Sequence, residues 1–448
     1  LLKILDVVGF RNLLSAVREG ASTAITCLSC HSLSTLILNG VINKETMALA
    51  FHEVCLILQL SSPRVCVGLI EQMKETVHFI RQNSKLKSTE VCGVLLGSQC
   101  FIGRSEHLFW RLDIPGVDNI SQMRVHSRNG NRVNAMSQST RQILHLTDIH
   151  MDLEYQIGSH IECNEPICCR SIPFSDNSST ISGEANVSAG TWGAYPCDIP
   201  IHTVENAFKE ISKNSKSVDL WYWTGDIVAH DIWQYSRARN IAHLQIIAQF
   251  LHQYTNGSRI VPVIGNHEAV PINCFPPPSI QNSHSISWLY EALAQQWTKW
   301  LPEDALHGGY YTIVINKGFR VIVLNTNYCA RLNIWTYYDS VDPADQLKWL
   351  IKELVIAEQE GDFVHIVGHV PVDNRECTQA WVYNYLEIVE RFSDTIVAQF
   401  FGHTHADEFR VLYSNHNFSK PIGFEILSPS LTTFQTFNPS YRIITVTH

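Results

Sequence analysis

The hydrophobic pattern of the 448-residue chain changes near residue 141. Over residues 1–104, apolar side chains recur at helical spacing, as in LIEQMKETVHFIRQ, which predicts amphipathic helices. Over residues 141–448, short apolar runs alternate with helical stretches, which predicts an α/β unit. Residues 105–140 have little periodicity and many Ser, Asn and Arg residues, so we expect a linker there.

Each strand predicted in the α/β unit ends in polar residues. The strand-bearing segments are QILHLTDIH, DLWYWTGDIV, RIVPVIGNHE, FRVIVLNTN, FVHIVGH and TIVAQFFGHTH. Helices are predicted at TVENAFKEISK, IAHLQIIAQFLHQY, QLKWLIKELVIAEQ and YLEIVERF. Because active residues of α/β proteins gather at the carboxyl ends of strands, we expect these polar loops to form one site.

The polar loops carry a set of metal-ligand residue types. The candidates are Asp148, His150, Asp226, Asn266, His369, His403 and His405. Ligands spaced i, i+2 on an extended backbone can point to one side, as in D-x-H and H-x-H. Oxygen and imidazole ligands without thiolates suit Zn, Mn or Fe. A histidine in one such loop alone is usually not a metal ligand, but five such loops in series predict a metal site. The carboxylate of Asp226 could bridge two ions there.

The order D-x-H, GD, GNH, GH and GHxH resembles the calcineurin-like metallophosphoesterase superfamily from about residue 141 to about residue 440. The resemblance implies a four-layer β-sandwich flanked by helices. It also implies one ion held by Asp148, His150, Asp226 and His405, and a second held by Asp226, Asn266, His369 and His403. A hydroxide bridging the two ions would attack phosphorus in line.

Two further histidines have no ligand role in that scheme. We expect His267, next to Asn266, to act as the general acid that protonates the departing alkoxide. His230, four residues beyond Asp226, is expected to assist it. Either histidine could instead donate a hydrogen bond to the phosphate.

The cysteines of residues 1–104 resemble those of a saposin-type domain, which is all-α. That resemblance implies the pairs Cys27–Cys100, Cys30–Cys92 and Cys55–Cys66, together with binding of lipid or a bilayer. The alternative is a disulfide-linked helical cap. Deleting residues 1–104 is expected to spare soluble phosphodiesters more than a phosphodiester lipid in a bilayer, whereas equal loss would favour the cap.

A saposin-type domain ahead of a metallophosphoesterase resembles the arrangement of the acid sphingomyelinase family, as do HLTDIHMDLEY, CNEPICCR, YWTGDIVAHDIW, VIGNHEAVPINCFPPP and QFFGHTHADEF. The resemblance implies two Zn2+ ions and hydrolysis of sphingomyelin to ceramide and phosphocholine, in lysosomes or outside the cell. It also implies the disulfides Cys163–Cys168, Cys169–Cys197 and Cys329–Cys377.

Three features depart from that family. Cys274 is left without a partner, and Phe434 stands where family members can have tyrosine. The family usually continues into another helical, cysteine-bearing region, which we expect to be missing from this chain.

Charge and sequence motifs limit the partners and the compartment. The formal net charge of -9 gives no basic footprint, so nucleic acid is excluded as an expected partner. Thirteen clustered cysteines indicate disulfides in an oxidising compartment, although cysteines alone also allow a cytosolic metal-binding chain. Glycosylation sequons support the oxidising compartment and occur at Asn119, Asn177, Asn186, Asn256 and Asn417. We expect a monomer that meets sphingomyelin at a membrane surface.

Two other functions compete with sphingomyelin hydrolysis. A related phosphodiesterase could cleave soluble nucleotides or other phosphodiesters, but such relatives lack the saposin-type segment. A lipid-extracting protein with a vestigial site would be non-catalytic, and the complete set of candidate ligands and histidines argues against it.

Overall fold

The computed structural model describes residues 23–39, 43–57, 61–96, 100–101, 103, 105–116, 140–171, 188–215, 217–218, 220–255 and 257–447. Residues 117–139 of the predicted linker lie outside this part of the chain, as do four of the five sequons. The remaining sequon, at Asn417, is exposed. No described helix combines the length and the apolarity needed to cross a bilayer.

The elements alternate as the hydrophobic pattern predicts. The helices are α1 (Thr23–Leu38), α2 (Lys44–Ile57), α3 (Pro63–Asn83), α4 (Ser88–Leu96), α5 (Ile201–Asn214), α6 (Arg237–Tyr254), α7 (Ser287–Gln296), α8 (Gln346–Glu360) and α9 (Gln379–Arg391). The strands are β1 (Thr140–Leu146), β2 (Met151–Asp152), β3 (Ile199–Pro200), β4 (Leu220–Trp223), β5 (Arg259–Pro262), β6 (Tyr311–Asn316), β7 (Phe319–Val323), β8 (Phe363–Val367), β9 (Ile396–Phe401), β10 (Glu408–Tyr413), β11 (Pro421–Leu427) and β12 (Arg442–Thr447). Short 3-10 helices include Ile232–Gln234 and Asn266–Glu268.

Helices α1 to α4 form the helical module, and three disulfides link them. The bonds are Cys27–Cys100, Cys30–Cys92 and Cys55–Cys66, which confirms the predicted pairing. In the α/β unit the expected bonds Cys163–Cys168, Cys169–Cys197 and Cys329–Cys377 are also present. Cys274 is unpaired and buried, as the sequence predicts.

The α/β unit contains two facing sheets. The smaller sheet has the order β12-β1-β4-β5, and the larger has the order β10-β11-β9-β8-β7-β6. Side chains alternate along β4, so that Leu220 and Tyr222 pack between the sheets while Trp221 and Trp223 pack towards the helices. Strands buried on both faces need helices outside them. The predicted four-layer sandwich is therefore confirmed.

Helices cover the outer face of each sheet. On the smaller sheet, Phe208 of α5, Ile247 of α6 and Leu293 of α7 are buried in one apolar cluster. On the larger sheet, Leu354 of α8 and Ile388 of α9 are buried in a second cluster. Strands β1, β4 and β5 are parallel, and so are β7, β8 and β9. Their following loops consequently meet at one edge of the sandwich.

The described part of the predicted linker is fixed on α9. Trp110 is buried in the core of the larger sheet. Asn384 Nδ2 donates to the Trp110 carbonyl at 3.0 Å, and Asn384 Oδ1 accepts from the Leu112 amide at 2.8 Å. The guanidinium of Arg111 lies 3.5 Å from the ring centroid of Tyr383. Residues 105–116 therefore run along the α/β unit as an ordered strap.

Helix α3 attaches the helical module to the α/β unit. Near its N-terminus, Val65 packs with Ile167 and Trp233. Near its C-terminus, Ile80 packs with Cys274, Ile280 and Trp335. Ion pairs lie at both ends, between Arg64 and Glu165 and between Lys85 and Asp339. The two units therefore share apolar core along the length of this helix.

Substitution of Gly68 on α3 tests how closely the two units approach. A Cβ at Gly68 would lie 2.6 Å from the Trp233 carbonyl oxygen. Alanine normally stabilises a helix by about 1 kcal/mol relative to glycine. We nevertheless expect Gly68→Ala to lower the free energy of unfolding by about 1–3 kcal/mol, because the added carbon overpacks the contact.

Urea denaturation measures this effect. Val67→Ala, on the exposed side of the same helix, is the control and should change stability by less than about 0.5 kcal/mol. A more stable Gly68→Ala variant would show that α3 does not sit against Trp233 in solution.

Candidate active site

The carboxyl ends of five strands bring the candidate ligands together. The loop after β1 carries Asp148 and His150, and the loop after β4 carries Asp226. At the centre, Asp226 Oδ2 lies 3.4 Å from His150 Nε2 and 3.2 Å from His369 Nε2. One carboxylate oxygen therefore faces two imidazoles that come from different sheets.

The first ligand group surrounds Asp148. Its Oδ1 lies 3.8 Å from His150 Nε2 and 3.5 Å from His405 Nε2. Its Oδ2 accepts hydrogen bonds from the Thr147 hydroxyl at 2.7 Å and the His403 amide at 2.9 Å. Oδ1 is thereby directed at the two imidazoles, and with Asp226 they form the set predicted for one ion.

The second ligand group surrounds Asn266. Its Oδ1 lies 2.9 Å from His369 Nε2 and 3.0 Å from His403 Nδ1. Ligand atoms of Asp226, His369 and His403 all lie within 4.8 Å of one another. This is the set predicted for the other ion. The structure thus gathers all seven candidate ligands, and their assignment to two particular ions stays a prediction.

The backbone of these loops is held in an unusual conformation. Five candidate ligands have positive φ angles, namely Asp148 at 48°, His150 at 40°, Asp226 at 56°, His403 at 72° and His405 at 60°. Asp and His enter this left-handed region more readily than most residues, but at an energetic cost. Such conformations cluster at sites where side chains from several loops must point to one place.

Glu268 holds two of the loops together. Its carboxylate accepts hydrogen bonds from the amides of Gly265 at 2.6 Å, Ile227 at 2.7 Å and Asp226 at 3.1 Å. Burial and the neighbouring Asp226 raise its pKa to about 7. A Cβ at Gly225 would lie 2.3 Å from the Gly265 nitrogen. Only glycine at position 225 therefore lets the two loops approach closely enough for Glu268 to bond to both.

Backbone carbonyls fix the tautomers of two candidate ligands. His150 Nδ1–H donates to the Val228 carbonyl at 2.8 Å, and His369 Nδ1–H donates to the Thr224 carbonyl at 2.6 Å. Nε2 of each ring is left facing the site, where a metal ion can displace its proton.

Several buried atoms of the site have no protein partner for a hydrogen bond. Among them are Asp148 Oδ1 and His150 Nε2. Leaving a buried polar atom unpaired costs about 1–3 kcal/mol. Atoms of these types, placed next to Asp226, are the donor set that a divalent cation requires. The residues present therefore fit metal binding.

The charges of the site also favour cations. Burial alone would lower the pKa of His150 and His369, yet neighbouring carboxylates, chiefly Asp148 and Asp226, raise both to about 9. Burial would raise the pKa of Asp226, but the histidines around it, His369 first, bring it well below its usual range. The carboxylates stay ionised and attract positive charge.

The two other histidines lie beside the ligand groups, and their roles stay a prediction. His267 Nε2 is 4.0 Å from Asp226 Oδ2, and its ring centroid is 4.7 Å from that of His230. Burial lowers the pKa of both rings well below the usual histidine value. Phe434 stacks on His230 with a centroid distance of 4.0 Å.

Residues that the sequence does not indicate orient these side chains. Asp198 accepts from His230 Nδ1–H at 2.9 Å and from the His230 amide at 2.7 Å. Tyr235 Oη contacts His267 Nδ1 at 2.7 Å. Glu376 Oε2 lies 3.4 Å from His403 Nε2. Only Glu268 had a sequence signal, because it ends the GNHE motif.

The chain is similar in sequence to one protein family and to several known proteins. Residues 141–407 match the family described as Calcineurin-like phosphoesterase. The chain is 37% identical over 428 residues to the sphingomyelin phosphodiesterase of Bos taurus, covering 94% of this chain and 66% of that protein. It is 36% identical over 450 residues to the sphingomyelin phosphodiesterase of Homo sapiens, covering 98% and 67%.

Among solved structures, a dimetal phosphatase from Danio rerio matches with a TM-score of 0.40 and 13% identity, covering 68% of this chain and 91% of that one. The chain spans about two thirds of the length of the two curated relatives named above.

Proposed function

We propose, from the premise that the chain belongs to the sphingomyelin phosphodiesterase family of calcineurin-like phosphoesterases, that it hydrolyses sphingomyelin to ceramide and phosphocholine. The family makes the chain a hydrolase. The structural observation that supports the substrate reaction is Asp226, which stands between two imidazole-bearing ligand groups and next to His267.

Membership of the family implies divalent metal ions, and the His and Asp groups around Asp226 can hold them. We infer that the ions are two Zn2+. All candidate ligands offer imidazole nitrogen or oxygen atoms, which zinc accepts, and the fixed Nδ1–H tautomers leave Nε2 of His150 and His369 for coordination. When bound, such ions supply positive charge to the phosphoryl oxygens and lower the pKa of the attacking water.

Asp226, His267 and His230 have separate roles in the reaction. Ionised Asp226 fixes the spacing of the two groups. The attacking water loses a proton to solvent as its oxygen bonds to phosphorus, the bond from phosphorus to the ceramide oxygen breaks, and His267, in its imidazolium form, gives its Nε2 proton to that oxygen. Solvent then returns a proton to His267. Ceramide leaves as a neutral alcohol and phosphocholine keeps the phosphate. His230, whose Nδ1–H is held by Asp198, donates from Nε2 to a phosphoryl oxygen in its imidazolium form.

The helical module gives this site access to lipid in our proposal. Large apolar side chains on α1 and α2 are exposed, with Leu28 at 69%, Leu49 at 56% and Phe51 at 39% of their full accessible area. An apolar helical surface can enter the boundary between headgroups and acyl chains. The six disulfides agree with an oxidising compartment, and we propose a lysosomal or secreted monomer that acts at the membrane surface.

A substrate comparison tests the proposed function. Purified chain is incubated with sphingomyelin liposomes or with a soluble nucleotide diester, before and after chelation and with added Zn2+. We expect release of phosphocholine from the liposomes, loss of that activity with chelator, and its recovery with Zn2+. A strong preference for the nucleotide would overturn the lipid assignment, and turnover that is insensitive to chelator would overturn the metal assignment.

A further inference from the structure

We propose that Tyr235 is a positioning residue for His267, and that helix α3 of the helical module supports Tyr235 through Gln72. This inference rests on the proposed function, in which His267 is the general acid. It adds a role for the module in the chemical reaction, separate from contact with lipid.

The hydroxyl of Tyr235 sets the tautomer of His267. Tyr235 is buried, and its O–H donates to the Ala229 carbonyl at 2.7 Å. With that proton assigned to the carbonyl, the 2.7 Å contact with His267 is satisfied by Nδ1–H donating to the Tyr235 oxygen. The other nitrogen, Nε2, is thereby turned to the site, where it lies 4.0 Å from Asp226 Oδ2.

This arrangement gives His267 a neutral partner. The neighbouring His230 has the carboxylate of Asp198 on its Nδ1. A hydroxyl fixes the direction of the imidazole without adding the charge that a carboxylate would bring. In the imidazolium form that acts as the acid, Nδ1–H stays on the Tyr235 oxygen, and the proton given up is the one on Nε2, which faces Asp226.

Helix α3 holds the backbone that carries Tyr235. Gln72 Nε2 donates to the Tyr235 carbonyl. One turn earlier on α3, Gly68 lies directly against the backbone of Trp233, two residues before Tyr235. The Tyr235 side chain therefore starts from a backbone that is fixed by the helical module.

The same helix also reaches the chain segment that bears His267. Ile80 of α3 packs against Cys274. The preceding residue, Asn273, donates its amide to the Asn266 carbonyl at 3.1 Å. Helix α3 thus contacts both segments that must stay in register for the bond between Tyr235 and His267.

The test uses Tyr235→Phe and two soluble esters of phosphocholine. The esters carry 4-nitrophenol, a good leaving group, and unsubstituted phenol, a poorer one that needs more help from an acid. We expect kcat to fall about tenfold for the phenyl ester and less than about twofold for the 4-nitrophenyl ester, with metal content unchanged. Neither ester requires a membrane, so lipid contact does not enter the result.

Gln72→Leu should give the same selective loss, reduced to about threefold. Lys85→Met is the matched control, because it removes the contact with Asp339 at the far end of α3 while leaving Gln72 in place. It should affect both esters equally. In the double variant with Tyr235→Phe, Gln72→Leu should add little, since both changes act on the same bond.

Three results would overturn the inference: equal losses on both esters in Tyr235→Phe, loss of metal, or a selective loss in Lys85→Met equal to that in Gln72→Leu. If Tyr235→Phe proves unfolded in a thermal melt, Gln72→Leu and its control decide alone. Failure of the wild-type chain to cleave sphingomyelin overturns the proposed substrate only, because the two aryl esters report on His267 independently.

Discussion

Replacing Asp226 with Asn is expected to abolish binding of both metal ions and to lower kcat/KM by at least about 1,000-fold. Asp226 Oδ2 is the carboxylate oxygen placed between His150 and His369, at 3.4 and 3.2 Å. The amide of asparagine is neutral, so two ions that share this oxygen would lose a common ligand and its charge. The fold should survive, because an amide oxygen can still accept the hydrogen bond from the His267 amide at Oδ1.

Metal analysis of the purified variant and steady-state turnover measure this prediction together. Asp345→Asn is the matched control, because Asp345 is exposed, has a positive φ angle of 52° that asparagine tolerates, and lies before α8. It should keep wild-type metal content and rate. Two retained ions in Asp226→Asn would rule out a shared carboxylate, whereas loss of one ion alone would assign Asp226 to a single group.

The core strands of the sandwich could be predicted from sequence, whereas its edges could not. Strands β1, β4, β5, β7, β8 and β9 are apolar enough on both faces to stand out. Strand β10, at the edge of the larger sheet, alternates between half-buried and exposed residues. It pairs with β11, and polar residues around both segments obscure the hydrophobic alternation that would identify them as strands. An edge strand needs less apolar surface, so the sequence carries a weaker signal.

In the site, residues within local sequence motifs could be predicted, whereas residues brought together from distant segments could not. Ligands such as Asp148 and His150 sit in short motifs directly after strands, so their spacing identified them. Asp198 is one of 42 acidic residues, and nothing near it in sequence indicates a partner 32 residues away. Tyr235 is likewise 32 residues from His267. Residues that orient a catalytic group are found only when the fold brings separate segments together.

Docking of the helical module revises one expectation. The sequence predicts a separate lipid-binding unit on a linker, so that its removal would spare soluble substrates. In the structure, α3 covers Trp233 and Cys274, and removing it would uncover this apolar surface beside the site. Loss of soluble activity after deletion would thus not distinguish a cap from a lipid-binding module. Point substitutions such as Gln72→Leu are the better probe.

His267→Ala is expected to keep both metals and to slow sphingomyelin hydrolysis about 100-fold. Ceramide leaves as an alkoxide unless its oxygen is protonated, and His267 Nε2 is placed to supply that proton. For 4-nitrophenyl phosphocholine the leaving group needs no proton, so the loss should be less than about threefold. His252→Ala, at an exposed position on α6, is the control and should leave both rates unchanged.

The same measurement on His230→Ala separates the two histidines. A residue that donates only to a phosphoryl oxygen stabilises the transition state equally for both leaving groups, so His230→Ala should slow both substrates by a similar factor. If instead the selective loss appears in His230→Ala and is absent from His267→Ala, the acid is His230. In that case Asp198, which accepts from His230 Nδ1–H, would be the residue that orients the acid, and Tyr235 would not. The ratio of the two rates therefore decides which imidazole protonates ceramide.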